Sequence, residues 1–156
     1  MARIELDRFD LAILDILQNN NMSPQRQIGE SVSLSAPAVQ RRIKALEKAG
    51  IIEGHAARLS PAAVGKPITL IVEVELENEG SAMIDAAKSL FANTPEVQQC
   101  YYVTGETDFI LVVLVSDMAS YEVLTRQLFF ANSNVRKFRT FVAMDRVKTG
   151  TLVSLF

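Results

Sequence analysis

One stretch of the chain, residues 34–50, places cationic, amide and small side chains together on one face of a short helix. Arginine and lysine pair with phosphates or with guanine O6 and N7, glutamine can form two hydrogen bonds with adenine, and small residues near a helix N-terminus allow close approach to base edges. The chemistry that this face predicts is recognition of a DNA major groove. A solvent-exposed amphipathic helix remains the alternative. The candidate DNA-contacting residues are Ser35, Ala36, Pro37, Gln40, Arg41, Arg42 and Lys44.

The local sequence explains why this stretch forms a helix with two faces. Ser35 can accept the amide N–H of the third helical residue, Pro37 is tolerated in a first turn, and Gly50 can close the other end in the left-handed conformation. The stripe expected to be buried recurs at four- and three-residue steps and consists of Val39, Ile43 and Leu46.

A second candidate site is the turn formed by residues 104–109. Gly105 allows the backbone to adopt a positive φ or to approach a ligand closely, and adjacent amides can receive a carboxylate. Asp108 offers an acceptor for an ammonium group. This polarity is the one that an amino-acid zwitterion requires, although the same residues are also typical of an ordinary hairpin loop.

Three carboxylates, Glu73, Glu75 and Glu77, share one face of a predicted strand and raise the question of a metal or acid–base site. Without a histidine or aspartate partner they favour neither. Ion pairs with Lys137 and Arg139, across neighbouring strands or between subunits, are the preferred interpretation. We also find no Ser/His/Asp set and no phosphate-cradling glycine loop, so the sequence predicts no catalytic residue, no metal and no cofactor.

Composition and length set the class of protein. The 156 residues are 49% hydrophobic and 22% charged, which is typical of globular domains rather than disordered chains. No apolar run is long enough for a membrane span, and the start of the chain, residues 1–7, lacks the apolar core of a signal peptide. We therefore expect a cytoplasmic protein with no membrane partner. The single Cys100 and single His55 favour neither an internal disulfide nor a zinc site.

The net charge of −2 conceals a local excess of positive charge. Residues 35–58 hold five basic and two acidic side chains, whereas the remainder of the chain after residue 59 is acidic overall. This modest patch predicts weak DNA binding by a single subunit, with oligomerisation adding further contacts.

Two shorter helices precede residues 34–50. Asp7 is expected to cap the first, whose apolar stripe ends at 19–21, and Ser23 to cap the second, with Pro24 as its first residue. A tight turn at 33–34 then leads into the third helix. This order is a helix-turn-helix in which the third helix occupies the recognition position.

The C-terminal half changes to a period of two. Residues 51–59 read as a short strand, followed by a Pro/Gly-rich connector. The pattern then predicts strands at 68–77, 97–104, 109–115 and 135–147, with a helix after Gly80–Ser81 and another capped by Asp117. The resulting order, βαββαβ, is a ferredoxin-like unit, so the fold class is α+β.

These residues resemble those of the Lrp/AsnC, or feast/famine, family of transcription regulators. The N-terminal match rests on Asp10, Ile13–Leu14, Leu17–Gln18, Leu34–Ser35, Val39, Arg42–Ile43 and 46–52; Gly29 stands where the family usually has alanine and leaves a surface free of side chain. Gly-x-x-Asp-Phe at 105–109 resembles the ligand-responsive loop of the family's C-terminal RAM domain.

The resemblance implies an effector site between dimers. Its residues, carried over by position, are Tyr102, Val103, Thr104, Gly105, Glu106, Thr107 and Asp108, with Thr140 and Thr151 as further candidates. It also implies that the strand at 51–59 pairs with its symmetry mate. The expected domains are a helix-turn-helix domain at 1–50, a linker strand and hinge at 51–66, and an effector and oligomerisation domain at 67–156.

The sequence therefore predicts a DNA-binding regulator of amino-acid-related metabolism. Its expected partners are double-stranded DNA, an amino-acid effector and further copies of itself, with dimers assembling to an octamer. The alternative is an amino-acid-sensing module, similar to ACT domains, that regulates a metabolic enzyme.

Overall fold

The computed structural model describes residues 5–156, which divide into two compact units. The first comprises the chain up to residue 57 together with residues 149–156, and the second comprises residues 58–148. Residues 1–4 lie outside the described residues. They are part of the segment 1–7, in which the sequence predicts no signal peptide. No helix within 5–156 combines the length and the hydropathy needed to cross a bilayer.

Three helices form the first unit: α1 at Arg8–Asn19, α2 at Gln25–Val32 and α3 at Ala36–Lys48. Two of the expected caps are confirmed, since Asp7 accepts the amides of Phe9 and Asp10 at 2.8 and 2.9 Å, and Ser35 accepts that of Ala38 at 3.4 Å. Gly50, also as expected, has a φ of +71°. Helix α2 begins one residue later than expected, with Pro24 at the cap position and no side-chain cap, so the cap expected from Ser23 is wrong.

The three helices share a small apolar core. It contains Ile13 of α1, Ile28 and Val32 of α2, and Val39 of α3, all buried. Gly29 lies where α2 approaches the start of α3, and a Cβ atom there would stand 2.4 Å from the carbonyl oxygen of Leu34. The close packing expected at this glycine is therefore confirmed.

Replacing Gly29 with valine is expected to destabilise the first unit. A branched side chain must push the backbone of Leu34 away and thereby open the turn before α3, and overpacking of this kind costs about 1–3 kcal/mol. Urea unfolding followed by circular dichroism measures the loss. Ser31→Val, which places the same side chain at an exposed site of α2, is the control, and an equal loss in both variants would contradict the steric explanation.

Residues 51–59 form no strand within the described chain, so the strand expected there is not formed by one subunit alone. A strand is stabilised by hydrogen bonds to a neighbouring strand, and no segment among residues 5–156 pairs with this one. His55 instead lies with its Nε2 atom 3.1 Å from Oε1 of Glu47 at the end of α3.

The C-terminal tail belongs to the first unit, although we expected it in the C-terminal domain. Gln18 of α1 holds it by two hydrogen bonds: Nε2 donates to the carbonyl of Val153 at 2.9 Å, and Oε1 accepts the amide of the same residue at 3.0 Å. Residues 149–156 are thus tied to the first helix by a side-chain amide that mimics a strand partner.

The second unit is a four-stranded antiparallel sheet with helices on one face. Its strands lie in the order β2-β3-β1-β4. The elements are β1 at Ile68–Leu76, α4 at Ser81–Ala92, β2 at Val97–Tyr102, β3 at Phe109–Val115, α5 at Met118–Thr125 with a π-helical turn at Arg126–Phe130, and β4 at Val135–Val142. The predicted βαββαβ order and the α+β class are confirmed, while β2 and β4 end earlier than the expected Thr104 and Val147.

The two faces of the sheet differ. The helix-covered face carries the apolar core, which includes Phe91 of α4 and Phe109 of β3, whose ring centroids are 5.3 Å apart. On the other face, Glu75 pairs with Lys137 and Glu73 with Arg139, both at 3.4 Å. The cross-strand ion pairs expected for these carboxylates are therefore confirmed.

Candidate functional site

The outward face of α3 presents a single stripe of exposed side chains. Pro37, Gln40, Arg41 and Lys44 are spaced at i, i+3, i+4 and i+7, which places them in line along the helix, and all four are exposed. Val39 and Leu46 are buried on the opposite side against α1 and α2. The packing of the first unit therefore turns this stripe towards solvent.

Electrostatics make this stripe suited to an anionic partner. The ion pairs found among residues 5–156 do not include Arg41, Lys44 or Lys48, so these cations carry no compensating carboxylate. Ser35 is exposed at the N-terminal end, where the positive end of the helix dipole also favours phosphate, and Ala36 beside it is half-buried.

Arg42 is placed differently from the other predicted DNA contacts. Its Nη1 atom lies 2.7 Å from Oδ1 of Asp10 and 2.8 Å from Oδ2 of Asp7, and its guanidinium carbon lies 5.4 Å from the centre of the Phe9 ring. The hydrogen bond from the amide of Asp10 holds the pKa of Asp7 below its usual value, and the hydrogen bond and positive charge of Arg42 contribute to a smaller extent. Arg42 therefore faces α1 rather than the exposed stripe. Its position next to Ile43, at the edge of the buried stripe, is the sequence feature that indicates this orientation.

The turn after β2 has the backbone geometry expected of a ligand loop. Gly105 has a φ of +129°, as predicted, and Thr104, Gly105 and Glu106 are exposed. The amide of Val103 donates to the carbonyl of Asp108 at 2.9 Å and closes the turn. The four amides between Val103 and Asp108, those of residues 104–107, donate to no acceptor within residues 5–156. These N–H groups are therefore available to an anionic group of a ligand.

The two polar side chains at the end of this turn are tied to the end of β1. Thr107 donates its hydroxyl to the carbonyl of Val74 at 2.8 Å, and Oδ2 of Asp108 accepts the amide of Leu76 at 2.7 Å. Oδ1 of Asp108 makes no hydrogen bond in the described part of the chain. Asp108 thus combines a structural role with one free oxygen.

Tyr102 borders the turn on the helix-covered side of the sheet. It is half exposed, its ring centroid lies 5.2 Å from that of Phe109, and Nζ of Lys88 in α4 lies 4.8 Å from the ring centre. The structure therefore adds Lys88 to this neighbourhood, a residue that the sequence pattern did not nominate.

The two remaining effector candidates are placed elsewhere. Thr140 pairs with Val72 across β4 and β1, and its hydroxyl lies 2.6 Å from that of Tyr121 in α5, where burial raises the pKa of the phenol. Thr151 lies in the tail that belongs to the first unit. Thr140 is therefore held against α5.

The residues that make these two surfaces also match known protein families. The winged helix-turn-helix DNA-binding model matches residues 6–53, and the model of the Lrp/AsnC ligand binding domain matches residues 69–153. Together they include α3 and the turn at 104–108.

Three relatives extend the match over nearly the whole chain. An HTH-type transcriptional regulator of Sinorhizobium fredii is 47% identical over 93% of this chain and 86% of its own. The leucine-responsive regulatory protein of Rhizobium meliloti is 32% identical over 99% of both chains. A Neisseria meningitidis transcriptional regulator, solved as a complex with L-Met, is 31% identical, with a TM-score of 0.89 and 97% of both chains covered.

Each of the two units has a counterpart in the family, in the order in which they occur here. The helix-turn-helix residues and the ligand-binding sheet are characteristic of regulators rather than of enzymes. The chain therefore belongs to the Lrp/AsnC family of DNA-binding transcriptional regulators.

Proposed function

We propose that the protein regulates genes of amino-acid metabolism by reading specific DNA sequences with α3. The observation that carries this proposal is the exposed stripe of Pro37, Gln40, Arg41 and Lys44, in which the cations pair with no carboxylate among residues 5–156. Gln40 and Arg41 have the donor geometry that base edges require, and Lys44 can neutralise a phosphate. Because its target is the chromosome, the protein acts in the cytoplasm.

We propose further that an amino acid binds at the turn formed by residues 102–108. The free amides of 104–107 suit an α-carboxylate, and the free Oδ1 of Asp108 suits an α-ammonium group. Two relatives support this class of ligand, since one is called leucine-responsive and another was solved with L-Met.

The uncovered face of the sheet supports a homo-oligomer. On this face, next to the Glu73–Arg139 pair, the apolar side chains of Ile71, Val112 and Phe141 lie side by side on β1, β3 and β4. Phe141 is 45% exposed. An apolar sheet face of this kind is stabilised when a second sheet covers it. Dimers formed in this way, and joined further into an octamer, would bring several recognition helices to one DNA and place the turns at contacts between dimers.

Fluorescence anisotropy tests the proposal with DNA taken from upstream of the protein's own gene, at several salt concentrations and with a panel of amino acids. Specific binding that one amino acid shifts supports both parts, because an effector acts only through its different affinities for alternative states. Sedimentation velocity on the same samples measures the assembly. Absence of salt-dependent binding to this DNA and to random fragments would contradict the proposal and favour the enzyme-regulating module.

Asp108→Asn is expected to raise the amino-acid concentration needed for half of the anisotropy change by about tenfold or more, since hydrogen bonds to charged groups contribute about 1.5–3 kcal/mol. The asparagine oxygen can still accept the amide of Leu76, so the turn stays in place. L-methionine and L-leucine are the first probes. Glu79→Gln, a neutralised and exposed carboxylate in the same unit, is the control, and equal sensitivity of both variants would contradict the assignment of Asp108.

A further inference from the structure

Arg42 occupies the boundary between the exposed stripe of α3 and the packed side of that helix. A single atom, Nη1, bridges two carboxylates of α1, at 2.7 Å from Asp10 and 2.8 Å from Asp7. The side chains of Arg42 and Asp10 are 28% and 12% exposed, so most of this contact is shielded from solvent.

The two carboxylates are themselves held in place. Asp7 caps α1 by accepting the amides of Phe9 and Asp10, and Oδ2 of Asp10 accepts the amide of Asp7 at 3.2 Å in return. This reciprocal capping box leaves Oδ2 of Asp7 and Oδ1 of Asp10 to face Arg42. The guanidinium is thus anchored to a rigid part of the first helix.

We infer that Arg42 is a positioning residue, which sets the orientation of α3 on α1 through Asp7 and Asp10 and does not contact DNA itself. The inference rests on the proposed DNA-reading face of α3. Apolar contacts alone do not define how a helix is rotated about its axis, because burial of apolar surface is non-directional. An ion pair with two defined acceptors on the flank of the helix supplies the missing direction.

Rotation of α3 matters because its reading residues lie in one line. Arg41 and Arg42 are adjacent and therefore about 100° apart around the helix, following from 3.6 residues per turn. With Arg42 fixed to α1, Arg41 and the stripe containing Gln40 and Lys44 point to solvent. Loss of the anchor would let these side chains move relative to base edges while leaving their charges unchanged.

Removal of Asp10 is expected to change DNA affinity in the direction opposite to that of simple electrostatics. Asp10 is a negative charge in a domain that binds a polyanion, so its removal should strengthen DNA binding if only charge matters. If Asp10 positions α3 through Arg42, its removal should weaken specific binding instead.

The test compares Asp10→Asn, Arg42→Met and the double variant with the wild type. The probes are a duplex enriched by the wild-type protein from a random-sequence pool and a random duplex of equal length. We expect each single variant to lose about tenfold in affinity for the enriched duplex, with no further loss in the double variant, because residues in one network are non-additive. Affinity for the random duplex should follow only the change in net charge and should not show this tenfold loss, and the salt slope should stay at the wild-type value.

Asp15→Asn is the matched control, because it removes the same charge from α1 without contact to Arg42. Asp7→Asn is a second test variant that keeps the cap, since asparagine caps helices as well as aspartate does. Thermal melting followed by circular dichroism identifies the temperature at which all variants are folded, and binding is measured there.

Two results would overturn the inference. One is a ratio of affinities for the enriched and the random duplex that is as high in Asp10→Asn and Asp7→Asn as in the wild type, or higher. This result is the one expected for the control Asp15→Asn. The other is a salt slope reduced by about 0.9 in Arg42→Met, which would assign a phosphate contact to Arg42. A wild-type protein that enriches no sequence would contradict the proposed function, which separates that failure from the failure of the positioning role.

Discussion

Replacing both Arg41 and Lys44 with alanine is expected to abolish specific DNA binding at physiological salt. The plot of log K against log salt has a negative slope, and each lost phosphate contact reduces the magnitude of this slope by about 0.9. The magnitude should therefore fall by about 1.8 for each bound subunit if both side chains contact phosphate. Where Arg41 reads a guanine instead, its loss costs about 1–3 kcal/mol and relaxes the sequence preference at one position. Anisotropy titrations from low to high salt measure both quantities.

The matched control removes two cations elsewhere. Arg126 and Arg136 are exposed in the second unit and pair with Glu122 and Glu77, so Arg126→Ala/Arg136→Ala changes the net charge equally without altering α3. A salt slope that is unchanged in Arg41→Ala/Lys44→Ala, or reduced equally in the control, would assign DNA binding to another surface.

Phe91→Ala is expected to produce the largest loss of stability. The ring is fully buried between the sheet and the π-helical turn at Arg126–Phe130, with its centroid 5.3 Å from that of Phe109 and 6.4 Å from that of Phe129. Truncation of a buried phenylalanine costs about 3–5 kcal/mol through lost transfer energy and the cavity that remains. Because domains are stable by only about 5–15 kcal/mol, the second unit should unfold at a much lower urea concentration.

Phe130→Ala provides the comparison for this result. The same side chain is 73% exposed there, so its truncation should change the free energy of unfolding by less than about 0.5 kcal/mol. Urea titrations with fluorescence or circular dichroism measure both variants at a protein concentration that keeps the assembly state constant. A loss in Phe130→Ala as large as that in Phe91→Ala would contradict the assignment of the core.

The helices and strands of this protein could be predicted because their signals are local. Asp7, Ser35 and Asp117 act as caps through amides two or three residues away, so the same short segment contains both donor and acceptor. The residues expected to be buried at every second position from Ile68 to Leu76 likewise indicate the buried face of β1 directly. The family resemblance then supplied the order of domains and the position of the turn at 104–108.

The errors arise where an element depends on something outside its own residues. Residues 51–59 have the composition of a strand, but a strand requires a partner, which one chain does not provide there. The π-helical turn at Arg126–Phe130, in which the amide of Ala131 donates to the carbonyl of Arg126 at 2.9 Å, was also not predicted, because apolar periodicity does not distinguish it from a turn of α-helix.

The amino-acid sequence by itself determined the order and type of most helices and strands and the side of each that is apolar, because capping, periodicity and glycine conformation act over a few residues. Only the tertiary structure decided the partners of the polar side chains. It turned Arg42 to Asp10 across 32 residues of chain, and tied the tail to Gln18 across 135. Such contacts depend on the relative placement of distant elements, and therefore on packing that no local pattern encodes.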